Sequence, residues 1–299
     1  MTGKTPKILL QSLTLAAIGL TLAAPALASF NIGNASMYGF IAGPNTHSIQ
    51  ISNSTFNGNV STDVSNPASN YVQFSSGTIN GNFDFVGADN QASLGSGTLN
   101  GSINTNVAAV GSAYNTIANL SSTFAGEAGT SFGGSGTLTD TNGTLDGSGN
   151  YVFTTTAANF LQGGALTITG SASDYVVIDV TGNSNVQLKN LLSLSGGITD
   201  DHVFINILGS GAQVGGNTNG GTINGLVVAL NDKFNIDNTT IDGRVIGGDS
   251  SDFQLVSGLD LNAPPPGPVP EPAFIQMGGL LALGGLGSAL RRLKKRRGA

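Results

Sequence analysis

The residue types able to do chemistry are few, and they fall in short, separate stretches. Asp200-Asp201-His202 sets an imidazole beside two carboxylates, with Asp179 about twenty residues earlier. Carboxylates flanking a histidine are the equipment of general acid–base hydrolysis. The same triplet also makes a solvated turn entering the apolar run Val203–Leu208, and that is the stronger reading. Gly248-Asp249-Ser250-Ser251-Asp252 and Asp140-Thr141-Asn142 supply loop oxygens of the kind Ca²⁺ takes, yet neither reproduces an EF-hand loop. Thr154-Thr155-Thr156 and Thr167-Ile168-Thr169 could belong to a flat, ice-binding Thr face. Such a face needs Thr pairs on several successive coils, and no such ladder is visible in the sequence. With no Cys and two His, thiolate nucleophiles and Cys-ligated metals are excluded. No catalytic, cofactor-binding or metal-ligating residue is assigned.

What would position these residues is a repeat. Thr, an apolar residue, Asn or Asp, then Gly recurs at Thr55–Gly58, Thr78–Gly81, Thr98–Gly101, Thr144–Gly147, Thr222–Gly225 and Thr240–Gly243. The spacings are close to 20 residues or to multiples of it, a period that marks a solenoid. Asn-Gly and Asp-Gly are turn dipeptides that also make β-hairpins. Hairpins, however, need no fixed period and no Thr-apolar prefix. The repeat predicts a ladder of Phe56, Ile79 and Leu99, with Val60, Phe83, Ile103, Val227 and Val245, two places past five of the six Gly, as inward residues. Further strand runs are expected at 150–154, 165–169, 175–180, 186–194, 203–208, 226–230 and 253–256. One segment breaks the pattern: Val110, Ala113, Tyr114, Ile117, Leu120 and Phe124 are spaced by threes and fours. They predict one amphipathic helix over about 107–125, stopped at Gly126 and laid along the stack.

Charged residues make up 9% of the 299 and apolar ones 39%, a balance that excludes a disordered chain. Between Ser29 and Val269 stand 15 Asp and one Glu against Lys189, Lys233 and Arg244, a net charge of −13. Such a body repels phosphate backbones, so nucleic acid is excluded as a partner.

The two ends read as targeting segments. Residues 1–28 carry Lys4 and Lys7, an apolar run from Ile8 to Leu22, then Ala26-Leu27-Ala28. This is the pattern of a secretory signal peptide cut after Ala28, leaving Ser29 first. A Pro-rich linker, 263–269, leads to Pro270-Glu271-Pro272, an apolar stretch over 273–290 and a basic cluster starting at Arg291 and Arg292. The stretch is just long enough to span a bilayer, and the basic residues would stay cytoplasmic.

Residues 270–297 resemble the PEP-CTERM sorting signal of Gram-negative bacteria. The resemblance implies that exosortase, a membrane protease of transpeptidase type, recognises Pro270-Glu271-Pro272 and is a processing partner. Residues 29–262 resemble the choice-of-anchor A family, most clearly over 220–257, which includes Asn238–Val245 and Asp252–Val256, with the first coils a looser match. That family implies an exported β-solenoid with an exchangeable anchor, akin to ice-binding and adhesin-type solenoids, and no catalytic residues. Parallel β-helix pectinases are matched only in the Asp200-Asp201 pair; their Gly-His-Gly and Arg-x-Lys elements are missing.

The expectation is an all-β solenoid of about eleven coils with one flanking helix and a C-terminal transmembrane helix. The first coil (30–41) and the last (253–261) would form its two ends, capped or open to end-to-end association. The function expected is that of a non-catalytic surface or matrix protein, exported across the inner membrane and transiently anchored there. Self-association or a matrix polysaccharide would be its partner. The alternative is a solenoid that binds polysaccharide, calcium or ice; a glycan-cleaving β-helix is a remote third.

Overall fold

Five of the six Thr-apolar-Asn/Asp-Gly runs fold as one side of a three-sided coil, and their Gly turns the corner. Stacked corners approach so closely that a Cβ at Gly81 would collide with the Gly58 carbonyl, and one at Gly243 with that of Gly225. Gly243 also lies at φ 153°, a backbone L side chains rarely adopt. The motif glycine is therefore required by coil-on-coil contact as well as by the turn.

The computed structural model describes residues 30–65, 71–88, 92–215 and 220–265. Its strands form three faces. The first face stacks, in order, Ile103–Asn104, Phe83–Phe85, Asn59–Thr62, Tyr38–Ala42, residues 245–247, residues 226–229, Val203–Ile207, Val176–Thr181, Tyr151–Thr156 and Thr130–Ser131. The second runs Thr98–Leu99, Gly77–Ile79, Ser54–Asn57, Asp260–Asn262, residues 240–242, residues 222–224, Leu192–Ser195, Leu166–Thr169 and Gly136–Thr139. The third runs Ala92–Leu94, Val72–Phe74, Ser48–Ser52, Asp252–Val256, Lys233–Asp237, Gln213–Gly215 and Val186–Gln187. Pairing is parallel throughout the described residues except where Thr144–Leu145 meets residues 151–152.

Phe56, Ile79 and Leu99 stand in register, as the repeat predicts, and so do Val60, Phe83 and Ile103. These inward side chains belong to one apolar core running the length of the stack. Three details differ from expectation. The Thr144 motif is an antiparallel hairpin whose Asp146 carboxylate accepts the N–H groups of Ser148 and Asn150; Asp-Gly turn chemistry serves both structures. The run 186–194 divides into Val186–Gln187 and Leu192–Ser195 on different faces. The longest face has ten rungs, not eleven coils, because the helix and the hairpin take up body residues.

The coil order differs most. The first and last coils are not at the ends: Phe40 pairs with Val245, Ile49 with Phe253 and Phe56 with Leu261, in mid-stack. The chain climbs to one end at residues 92–104, crosses by the helix Ala108–Ala125 and restarts at the opposite end with Thr130–Ser131. At 18 residues the helix is about 27 Å long, more than five rung spacings of about 4.8 Å. Val110, Ala113, Ile117 and Phe124 form its buried face, against Val177, Phe204, Leu226 and Ile246 of the first face.

Among the described residues no helix is long and apolar enough to cross a membrane. Ala26, Ala28 and Ser29 of the expected cleavage site lie outside the described residues, as do Pro270, Glu271, Pro272, Arg291, Arg292 and the apolar stretch 273–290.

Candidate ligand-binding face

The second face carries the most regular chemistry. Inward apolar residues alternate there with outward polar ones, as period-2 geometry requires. Thr98, Thr78, Thr55, Asp260, Thr240 and Thr222 form one outward column. Two residues further on, side-chain amides link coil to coil. Asn100 Nδ2 donates to Asn80 Oδ1, Asn80 to Asn57 and Asn57 to Asn262, each at 2.7 Å, and Asn262 donates to Asp242 Oδ1 at 2.8 Å. The carboxylate ends this chain because it accepts without donating.

Beyond Asn224 the column becomes Ser193, Thr167 and Thr137, with Ser195, Thr169 and Thr139 beside it. Thr167 Oγ1 lies 3.0 Å from Ser193 Oγ, and Thr169 Oγ1 lies 2.7 Å from Ser195 Oγ. Nine successive rungs thus present short polar side chains. They form a grid of about 4.8 Å between rungs and about 6.7 Å along a strand. Its outward charges among the residues named are Asp242 and Asp260.

This ladder was hidden in the sequence because its rungs come from distant segments. Asp260-Leu261-Asn262, which lacks both the Thr and the Gly, fills the gap between Thr55-Phe56-Asn57 and Thr240-Ile241-Asp242. Thr154–Thr156, by contrast, belongs to the first face and is not coplanar with Thr167–Thr169.

The residues singled out for other chemistry are engaged structurally. Asp200–His202 is a single 3-10 turn entering the strand Val203–Ile207, as the turn reading has it. His202 Nδ1 lies 3.1 Å from the Asp174 carbonyl, and its ring stacks on Tyr175 at 3.9 Å. Asp179 stands level with Asn206, four residues past His202, or about 13 Å along the strand. It is buried and accepts Asn206 Nδ2 at 2.8 Å, while Asn206 Oδ1 takes the Ser121 hydroxyl of the helix. Burial pushes its carboxyl up to about 6. The structure therefore does not bring Asp179 to the triplet.

Asp140 and Asp249 each accept a backbone N–H of their own turn at 2.7 Å, and Asp252 bonds His47 and Ser48 at 2.8 Å. The described residues contain no group of three His, Asp or Glu arranged to hold a metal ion.

One residue that the sequence does not mark is Arg244. It is buried, and its Nη2 donates to the carbonyls of Ser36 and Pro264 at 2.9 Å each. Burial lowers its pKa, against which Asp200 and Asp201 act.

These features define a three-sided, predominantly parallel β-solenoid with a flanking helix and one regular polar face. No family model and no curated protein matches the sequence. Solved structures do match in fold. An ice-binding protein from an Antarctic biological consortium is 17% identical, with a TM-score of 0.51 over 85% of this chain and 95% of that one. An ice-binding protein from an Arctic yeast is 15% identical, with a TM-score of 0.54 over 82% and 97%. Ice-binding protein 1 of Shewanella frigidimarina is 14% identical, with a TM-score of 0.54 over 78% and 97%. What is shared is the architecture.

Proposed function

We propose that this is a non-catalytic, exported ligand-binding solenoid whose second face takes an extended lattice of hydrogen-bonding groups, crystalline water foremost. The observation that carries this is the nine-rung grid of Thr, Ser and Asn, with Asp242 and Asp260 among them, on the second face. Each hydrogen bond it offers is worth only about 0.5–1.5 kcal/mol net, so many must act together. The coil-to-coil amide bonds hold the grid in place before the ligand arrives, which lowers the ordering cost of binding. Support also comes from the fold, shared with proteins named for ice binding.

Export and sorting belong to the same proposal. They rest on the signal-peptide pattern ending at Ala28 and on Pro270-Glu271-Pro272 ahead of the apolar stretch and Arg291-Arg292. Exosortase is the expected processing partner, and a surface or matrix location follows from it.

The test is ice affinity together with inhibition of ice recrystallisation, comparing the unaltered protein with Thr55→Tyr and Thr78→Tyr on the second face. Gln73→Tyr on the third face is the control. Loss of both activities in the second-face variants alone supports the reading. An unaltered protein that neither partitions into ice nor limits crystal growth overturns it, and retention on a matrix polysaccharide would then favour the glycan ligand.

A further inference from the structure

The two ends of the stack differ. At the end reached by residues 130–145, the last first-face rung combines parallel Thr130–Ser131 with antiparallel Thr144–Leu145, both on Tyr151–Thr156. The third face stops short of it, at Val186–Gln187. At the opposite end, one coil supplies the terminal strand of all three faces: Ala92–Leu94, Thr98–Leu99 and Ile103–Asn104. That end is level; the other is staggered.

Among the described residues no further strand follows the level end. Gly95 N donates to the Phe74 carbonyl, Asn100 N to that of Ile79, and Phe83 N to that of Ser102. Alternation along a parallel ladder then turns the peptide groups of Leu94, Leu99 and Ile103 away from the stack, one on each face. Leu94 stands opposite the buried Phe74 and so faces the interior, yet it is 39% exposed. Leu99 and Ile103 continue the inward columns of Ile79 and Phe83 and are only half-buried. Three strand edges thus surround an apolar centre.

We propose that two copies of this chain associate end to end through the coil 92–104, as a closed two-fold dimer. Only a coil of the same three-sided outline can meet all three edges at once, and the same end of a second copy supplies one. A two-fold axis joins like with like, and the staggered far ends leave no level surface for growth into a filament. This proposal is independent of what the second face binds.

The chain contains no Cys, so single introduced thiols report on one place each. Ser93→Cys and Ser102→Cys mark the level end, and Ser148→Cys marks the far end. The full chain carrying each is treated with a short bis-maleimide, and its mass is followed by light scattering. The expected result is a covalent dimer of this chain from the level-end thiols and none from Ser148→Cys. Adding Leu99→Lys should lower the dimer yield at least tenfold while the chain keeps its folded circular-dichroism spectrum, because a charge on an edge strand opposes pairing. Leu94→Lys, at an already exposed side chain, serves if Leu99→Lys perturbs folding. No dimer from either level-end thiol, equal cross-linking at Ser148, open filaments, or a product containing another protein overturns the proposal.

Discussion

Asn57 donates its side-chain amide to Asn262 at 2.7 Å, across 205 residues of chain. That bond lies on the seam where the N-terminal coils meet the last coil. Around it Phe40 meets Phe253 edge-on at 4.6 Å, and Phe253 stacks on Phe234 at 4.4 Å. Arg244 ties Ser36 to Pro264 on the same seam. A solenoid wound in simple chain order could lose terminal coils one at a time. Here the first and last described coils are both inside the stack, so opening the seam disrupts coils on either side.

Truncation at the seam should therefore be costly. Phe253→Ala removes a fully buried ring that touches both segments, and about 3–5 kcal/mol of stability is expected to go with it. Urea unfolding followed by circular dichroism measures the loss. A cost below about 1 kcal/mol would mean that the seam does not hold the stack together.

Backbone disruption at the second face tests its ladder. Asp242 lies in a strand paired on both sides, with Asn224 and Asn262 as its neighbours. Asp242→Pro removes a ladder N–H and imposes its own φ, which should cost about 3 kcal/mol or more. Asn80→Ala, which breaks two links of the amide chain without touching the backbone, should cost about 1–3 kcal/mol. Comparable melting curves for Asp242→Pro and the unaltered protein would contradict the pairing.

The local parts of this architecture were legible and the long-range ones were not. Thr78-Ile79-Asn80-Gly81 displays its rung openly, because its outward Thr and Asn, inward Ile and corner Gly follow one another. The helix was readable from the spacing of Val110, Ala113, Ile117 and Phe124. Coil order was not, since a partner some 20 residues away and one 205 away satisfy the same inward–outward alternation. Asp260-Leu261-Asn262 was missed as a rung for that reason, although Asn262 completes the amide chain. Asp146 shows the reverse error, in which the motif was present but its turn closed a hairpin.

The helix should loosen as pH rises through about 6. Asp179 is buried beneath it, and its carboxyl is raised by burial from 3.8 to about 6. Between those values the folded protein binds more protons than the unfolded chain, so stability falls as pH increases across that window and levels off above it. Asp179→Asn should leave stability at pH 4 nearly unchanged and raise it at pH 7.5 by about 1–3 kcal/mol, since the amide oxygen can still accept from Asn206. Thermal melts at the two pH values measure this. Equal stability of the variant and the parent at pH 7.5 would show that the buried carboxylate costs nothing.

Processing should leave the solenoid intact. Pro264 is tethered to the buried Arg244 at 2.9 Å, and the proposed sorting tripeptide begins six residues later, at Pro270. A stretch of six residues can span at most about 20 Å, which leaves room between a cut there and the last described strand, Asp260–Asn262. Released protein is therefore expected to begin at Ser29, to end near Pro270-Glu271-Pro272 and to melt as the uncut chain does. Arg244→Ala should lower the melting temperature of both forms, because it frees Ser36 and Pro264 together. Mass spectrometry of protein shed from cells with and without exosortase decides the processing. A peptide running intact through Met277 and Leu290 in the shed material would exclude cleavage at the tripeptide and leave these residues as a simple anchor.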